Sequence, residues 1–316
     1  MGHHHHHDHH HHELKLSEVS RALVIGIVLN VIFVLLETVA GFWYDSLALL
    51  SDAGHNFSDV IALVMALTAF KLLSIQPTKE YTYGYRKTTI WAALINALLL
   101  MFAVGMILWK SIDRWMNPVE VDGFTTAIIA EIVIIINGVT AWLFVKDKDK
   151  DLNIRGAYLH MLADTLVSIG VVFSGLIIWQ TNWFLVDTIT SWVIVLMILL
   201  STWSLLKDSI RLSLDGVPKE INASTLQDQI LNIKGVLSMH HIHIWALSTT
   251  ENAMTAHLVI EESCTFDDAA TIKHEIRHLV EHENIQHVTL ELEKEGEKCS
   301  AKDCTIISEQ EIHHHH

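Results

Sequence analysis

Six apolar stretches follow one another along the first two thirds of the chain, near residues 21–42, 47–73, 88–112, 124–146, 156–180 and 184–206. Each is long enough for the roughly 20 residues that a bilayer-crossing helix needs. The first begins near Arg21 and outlasts a signal-peptide core of roughly 7–15 residues, so it is expected to remain as a membrane helix. From about Asp215 the pattern changes. Thr225 to Ile233 reads as an amphipathic helix with Leu226, Ile230 and Ile233 on one face. Val236 to Leu247 alternates as a strand, with Ile242 and Ile244 set against His241, His243 and Trp245. Ala253 to Glu261 reads as a second strand. A helix capped by Asp267 or Asp268 is expected to run to about Glu283, and His287 to Glu293 closes the series as a third strand.

The expected architecture is an all-α membrane bundle of six transmembrane helices over residues 15–212. A C-terminal α+β domain over 213–295 follows, ordered α-β-β-α-β in the ferredoxin or metallochaperone manner. Residues 1–14 are a His-rich tail, and 296–316 a polar tail carrying Cys299 and Cys304. Basic residues choose the orientation. Lys15 and Arg21 precede the first stretch, Lys71, Lys79, Arg86 and Lys87 surround the second loop, and Lys146, Lys148, Lys150 and Arg155 the fourth. The positive-inside rule then puts both termini in the cytoplasm. Trp43, Tyr44, Trp109, Trp115, Trp179 and Trp183 fall where anchors at the outer interface belong.

Composition agrees with a membrane-embedded chain: 51% of residues are hydrophobic and 18% charged. The formal charge of −15 comes mostly from residues after 212, which argues against a nucleic-acid partner. Three cysteines, Cys264, Cys299 and Cys304, build no disulfide framework. Histidine is over-represented, at 23. Thirteen of these lie in the terminal runs His3–His7, His9–His12 and His313–His316, which read as an affinity tag or a metal-gathering tail.

Two polar intrusions in the apolar stretches carry the chemistry. The second holds Asp52, His55, Asn56 and Asp59, and the fifth holds His160 and Asp164. A single intramembrane histidine is commonly a hydrogen-bond partner between helices. Here the same His-x3-Asp spacing occurs twice, and on a helix i and i+4 share a face. Two imidazoles and two carboxylates make a four-ligand set that suits Zn2+, with no thiolate or thioether for Cu(I). Asp52, one turn before His55, is either a neighbour of the site that takes a proton or a helix-start residue.

These stretches resemble the cation diffusion facilitator family in its zinc-transporting branch. The matching residues are Leu49 to Asp59, Tyr83-Gly84-Tyr85-Arg86, His160 to Asp164, Leu214 to Pro218 and His243-Ile244-Trp245. The resemblance runs from about residue 15 to 295. It implies a homodimer of six-span protomers that exchanges Zn2+ for H+ across a lipid bilayer by alternating access, with His55, Asp59, His160 and Asp164 holding the ion. It also implies that the C-terminal domain binds zinc as a regulatory ligand. Strand-by-strand matching points to His243, His257 and Glu293, with His240 and His241 as competing ligands and Cys299 and Cys304 as further ones. The short tail and compact loops point to a bacterial plasma membrane.

Three rivals are set against this reading. A passive divalent-metal channel would carry no flux against a zinc gradient, and a membrane zinc sensor would bind zinc and move none. An intramembrane zinc hydrolase needs an open coordination position and a general base. The chain has no His-Glu-x-x-His, and four protein ligands leave no place for water, so an enzyme is not expected. His274, His278 and His282 form an i, i+4, i+8 stripe that reads first as a wet helix face.

Overall fold

The computed structural model describes residues 16–43, 47–117, 123–181, 183 and 185–297. They fall into two compact units, one within Met1–Pro77 and Ala92–Leu206 and the other within Thr78–Trp91 and Lys207–His316. Six helices run through the first part of the chain: α1 (Leu16–Trp43), α2 (Leu47–Leu73), α3 (Thr88–Met116), α4 (Gly123–Phe144), α5 (Leu152–Thr181) and α6 (Leu185–Ser213). Among the described residues, three stretches are long and apolar enough to cross a membrane: Thr88–Asp113, Leu152–Thr181 and Thr188–Ser213. Arg21–Leu36 and Ala130–Phe144 are shorter apolar helices.

The first unit is apolar outside and keeps several polar side chains within. Leu36, Phe102, Trp142 and Leu200 are each more than 60% exposed, whereas Asn30, Asn137 and Thr140 are fully buried. Water would reverse that arrangement, and a hydrocarbon solvent favours it, since polar side chains there must find partners inside the protein. Leu23, Leu63, Phe70, Phe144, Ile154 and Met161 form one core that joins α1, α2, α4 and α5. A second group, with Ala97, Leu100 and Leu205, packs α3 against α6. Trp109, Trp115, Trp179 and Trp183 are exposed as interfacial anchors would be; Tyr44 and the side chain of Trp43 lie outside the described residues.

Gly26 allows the close approach of α1. A Cβ there would stand 3.0 Å from Thr140 Cγ2, and 3.6 Å from both Leu63 and Phe144. Small residues at such crossings are what let membrane helices pack. Gly26→Leu is therefore expected to destabilise the detergent-solubilised protein by roughly 1–3 kcal/mol, the cost of overpacking, and so to lower its thermal midpoint. An unchanged midpoint would mean that α1 has room to move away.

In the second unit, α7 (Ala223–Leu231), β1 (Val236–Ala246), β2 (Asn252–Ile260), α8 (Phe266–His282) and β3 (Ile285–Lys294) follow in that order. The sheet order is β1-β2-β3, with β1 antiparallel and β2 parallel to its neighbour. Met254, Ala256 and Leu258 alternate along β2 and meet Leu226 and Ile230 of α7 and Ile272, Ile276 and Val280 of α8. Both helices therefore cover one face of the sheet and leave the other open.

The start of α8 differs from the sequence expectation. Thr265 is the N-cap, and Asp268 closes a reciprocal capping box with it. Asp268 acts from the third helical position, so neither aspartate caps directly. The Thr265 hydroxyl, then its backbone N–H, holds the Asp268 carboxyl below its ordinary value. Because the folded value is lowered, this contribution is present above the unfolded carboxylate range and is lost as pH falls through the folded value.

The segment that carries the Tyr83-Gly84-Tyr85-Arg86 motif and the first residues of the third apolar stretch, 78–91, folds with the C-terminal residues. Gly84 takes φ +69° and turns the chain with a hydrogen bond from its N–H to the Tyr81 carbonyl. Arg86 then ion-pairs with Glu251 and stands 3.3 Å from His287 Nε2, while Tyr83 meets the His287 ring edge-on. Lys87 pairs with Asp215, and the Thr249 N–H donates to Thr89 Oγ1 at 3.1 Å.

Candidate metal centres

Asp59 continues the inward stripe of α2. It is followed at helical spacing by Leu63, Ala66 and Phe70, all buried. On α5, His160 and Asp164 follow Ala157 and flank Met161 in the same way. The core stripe of each helix thus gives way to ionisable groups. His160 Nε2 lies 2.5 Å from Asp59 Oδ1 and 3.7 Å from Asp164 Oδ2. Asp59 is fully buried and His160 nearly so.

One donor atom from each of Asp59, His160 and Asp164 lies within 4.8 Å of the others. Donors at about 2.1 Å from one tetrahedral ion stand about 3.4 Å apart, so side-chain rotation alone can close this group on zinc. Two carboxylates sharing a dry interior repel each other, and a divalent cation between them offsets that cost. His55 precedes Asp59 by one turn on α2, and Asp52 precedes His55 by nearly one more. The side chains of both lie outside the described residues.

Two buried asparagines in the same unit had no signal strong enough to single them out in the sequence. Asn30 donates to the Gly26 carbonyl at 2.9 Å and approaches Met161 Sδ at 3.9 Å. Its own oxygen, and both polar atoms of Asn137, have no hydrogen-bond partner among the described residues. Each such atom costs about 1–3 kcal/mol.

The second centre lies on the open face of the C-terminal sheet. His240 pairs directly with His257 across β1 and β2, and Glu291 pairs with His257 across β2 and β3. Glu293 lies two residues beyond Glu291, on the same face. The His257 Nδ1 to Glu293 Oε1 distance is 2.7 Å, and His240 Nε2 stands 3.2 Å from Glu293 Oε2. That second contact is an ion-pair distance without hydrogen-bond alignment, which leaves His240 Nε2 open to another partner. Glu291 reaches His257 Nε2 at 3.3 Å.

His243 is not in this group; it lines a cavity of about 390 Å³ with Asp215, Val217, Ile242 and Trp245. The reason is a bulge. The register slips between His240 and His243, and His241 takes φ +48°. Two residues then oppose one, and strict alternation fails. The slip also turns His241 toward the group: its ring lies 5.2 Å from that of His240 and 4.9 Å from that of His257. Cys299 and Cys304 lie outside the described residues. Glu291 was missed, although its period-two relation to Glu293 was visible.

Comparison with known proteins adds the following. The profile of the cation efflux transmembrane domain matches residues 23–212, and that of the cation efflux protein cytoplasmic domain matches 218–295. A cadmium, cobalt and zinc/H(+)-K(+) antiporter of Bacillus subtilis is 33% identical over 304 residues, covering 94% of this chain and 96% of the relative. The zinc transporter ZitB of Escherichia coli is 35% identical over 90% of each chain. The metal cation efflux system protein CzcD of Cupriavidus metallidurans is 34% identical over 86% of each.

Proposed function

The chain belongs to the cation efflux family, a family of transporters rather than enzymes, and we propose that it exports cytoplasmic Zn2+ in exchange for protons by alternating access. The observation that carries this reading is the buried Asp59–His160–Asp164 group inside helices whose outward faces are apolar. A charged cluster at that position is expensive unless it serves an ion. The named antiporter among the relatives supports protons as the counter-ion.

In this reading His55 completes a four-ligand shell with Asp59, His160 and Asp164. Metal requires the neutral ring, so Zn2+ arriving from the cytoplasm displaces a proton from His55 or His160. Outward rocking of the helices exposes the site, and protonation on that side expels the ion. The carboxylates of Asp59 and Asp164 lower the cost of taking Zn2+ out of water. The Asn30 side-chain oxygen and the Asn137 amide, without hydrogen-bond partners among the described residues, offer polar groups inside the same unit where water can follow the ion.

We further assign both termini to the cytoplasm of a bacterial plasma membrane, six spans to each protomer, and dimer contacts to the C-terminal domain, with 15–212 and 213–295 as the two domains. His240, His257 and Glu293, with His241 and Glu291 beside them, form the regulatory site. Everted membrane vesicles test the transport claim. They should accumulate zinc when a proton gradient is imposed, and a protonophore should remove the accumulation. Accumulation indifferent to the protonophore would sink proton coupling.

A further inference from the structure

We infer a third metal site, exposed and separate from the other two, on the outward face of α8. The helix buries Ile272, Ile276 and Val280 against the sheet. At 100° per residue the opposite pole falls on His274, His278 and His282, all exposed. The group at His240, His257 and Glu293 occupies the open face of the sheet, so the sheet and the body of α8 stand between the two sets of ligands.

The geometry of one pair fits a shared ion. The rings of His278 and His282 lie 4.7 Å apart, centroid to centroid, with their planes at 75°. Two imidazoles on one tetrahedral ion have nitrogens about 2.1 Å from it, which places the ring centroids about 5 Å apart. Rotation of the side chains is enough to reach that arrangement. The backbone beneath is already fixed by the capping box and by the buried face, so little order has to be gained on binding. His274 lies a further turn away, too far from His282 for both to hold one ion, so the pair supplies two ligands and water fills the remaining positions.

The donor set selects borderline divalent cations that accept imidazole, namely Zn2+, Co2+, Ni2+ and Cu2+, and not Mg2+ or Ca2+. Only the neutral rings bind, so the site empties as pH falls through the histidine range. With no carboxylate among its ligands and with full access to water, it fills at higher metal concentration than the sheet-face group. It acts as a surface receiver for surplus cytoplasmic metal. This inference does not depend on the transport reading.

Residue-resolved footprinting tests it and keeps the terminal histidine runs out of the measurement. The full chain in lipid nanodiscs at pH 7.5 is titrated with ZnCl2, treated with diethylpyrocarbonate and read by peptide mass spectrometry. His278 and His282 are expected to lose at least fivefold in reactivity with a common midpoint. In His282→Gln that midpoint should move upward at least tenfold when read at His278, and His278→Gln should do the same when read at His282. Protection of His257 should be unchanged in both, which also reports that the domain is folded. Full reactivity of His278 at zinc concentrations a thousandfold above the midpoint for His257 would overturn the site. So would equal protection of His278 in His282→Gln, which would make it a lone-histidine effect.

Discussion

Asp59→Ala is expected to lower zinc flux in proteoliposomes at least a hundredfold while leaving the protein dimeric by size-exclusion chromatography. The carboxylate is fully buried and 2.5 Å from His160 Nε2. Its removal takes one anionic ligand from a divalent ion in a medium of low dielectric constant. Breaking a buried charge pair from one side costs about 3–5 kcal/mol, and each 1.4 kcal/mol is about tenfold in affinity. Asp59→Asn separates charge from shape, because it keeps a hydrogen-bonding group beside His160 and drops the charge. It should also fall by more than tenfold. Near-normal flux in Asp59→Ala or in Asp164→Ala would remove the site assignment.

Glu293→Gln is expected to abolish the effect of zinc on the C-terminal sheet. Glu293 is buried, and its two oxygens face His257 and His240 separately. If those three groups hold zinc, a concentration of about 100 times the dissociation constant stabilises the bound fold by roughly 2.7 kcal/mol. Hydrogen exchange in the β1 and β2 peptides of the full chain should then slow by about a hundredfold when zinc is added, and remain unchanged in Glu293→Gln. Zinc-dependent slowing that survives the substitution would place the ion elsewhere. Cluster and exchange probe share the same strands, so zinc bound to α8 or in the membrane unit does not mimic the result.

Much of this was legible in the residues because the signals were periodic. Apolar runs of helical length located α1 to α6, and the strand pattern located β2, where Met254, Ala256 and Leu258 turn inward. The His-x3-Asp spacing pointed to His160 and Asp164 together, and their separation of 3.7 Å follows from one helical turn. What alternation misses is a register slip. One extra residue in β1 brings His240 and His241 to His257 and carries His243 away to its cavity with Val217 and Trp245. Nothing local in Met239-His240-His241-Ile242 announces that bulge, since it is fixed by pairing with a strand that arrives later.

Capping went astray for a related reason. Thr265 and Asp268 act jointly, and the acidic residues alone suggested the wrong one. The Tyr83-Gly84-Tyr85-Arg86 motif was visible as a resemblance, but its partners Glu251 and His287 lie more than 160 positions away in sequence. Long-range ion pairs leave no periodic trace, so its place in the C-terminal unit emerged only from the fold.

The most direct test of the central claim is uphill flux. Protein reconstituted in liposomes with equal zinc on both sides is given an inward-directed or an outward-directed pH gradient, while zinc and lumenal pH are followed together. Zinc should move against its own developing gradient and opposite to the protons, and should reverse direction when the pH gradient is reversed. Zinc that only ever runs down its own gradient, whatever the pH difference, would contradict the exchange mechanism.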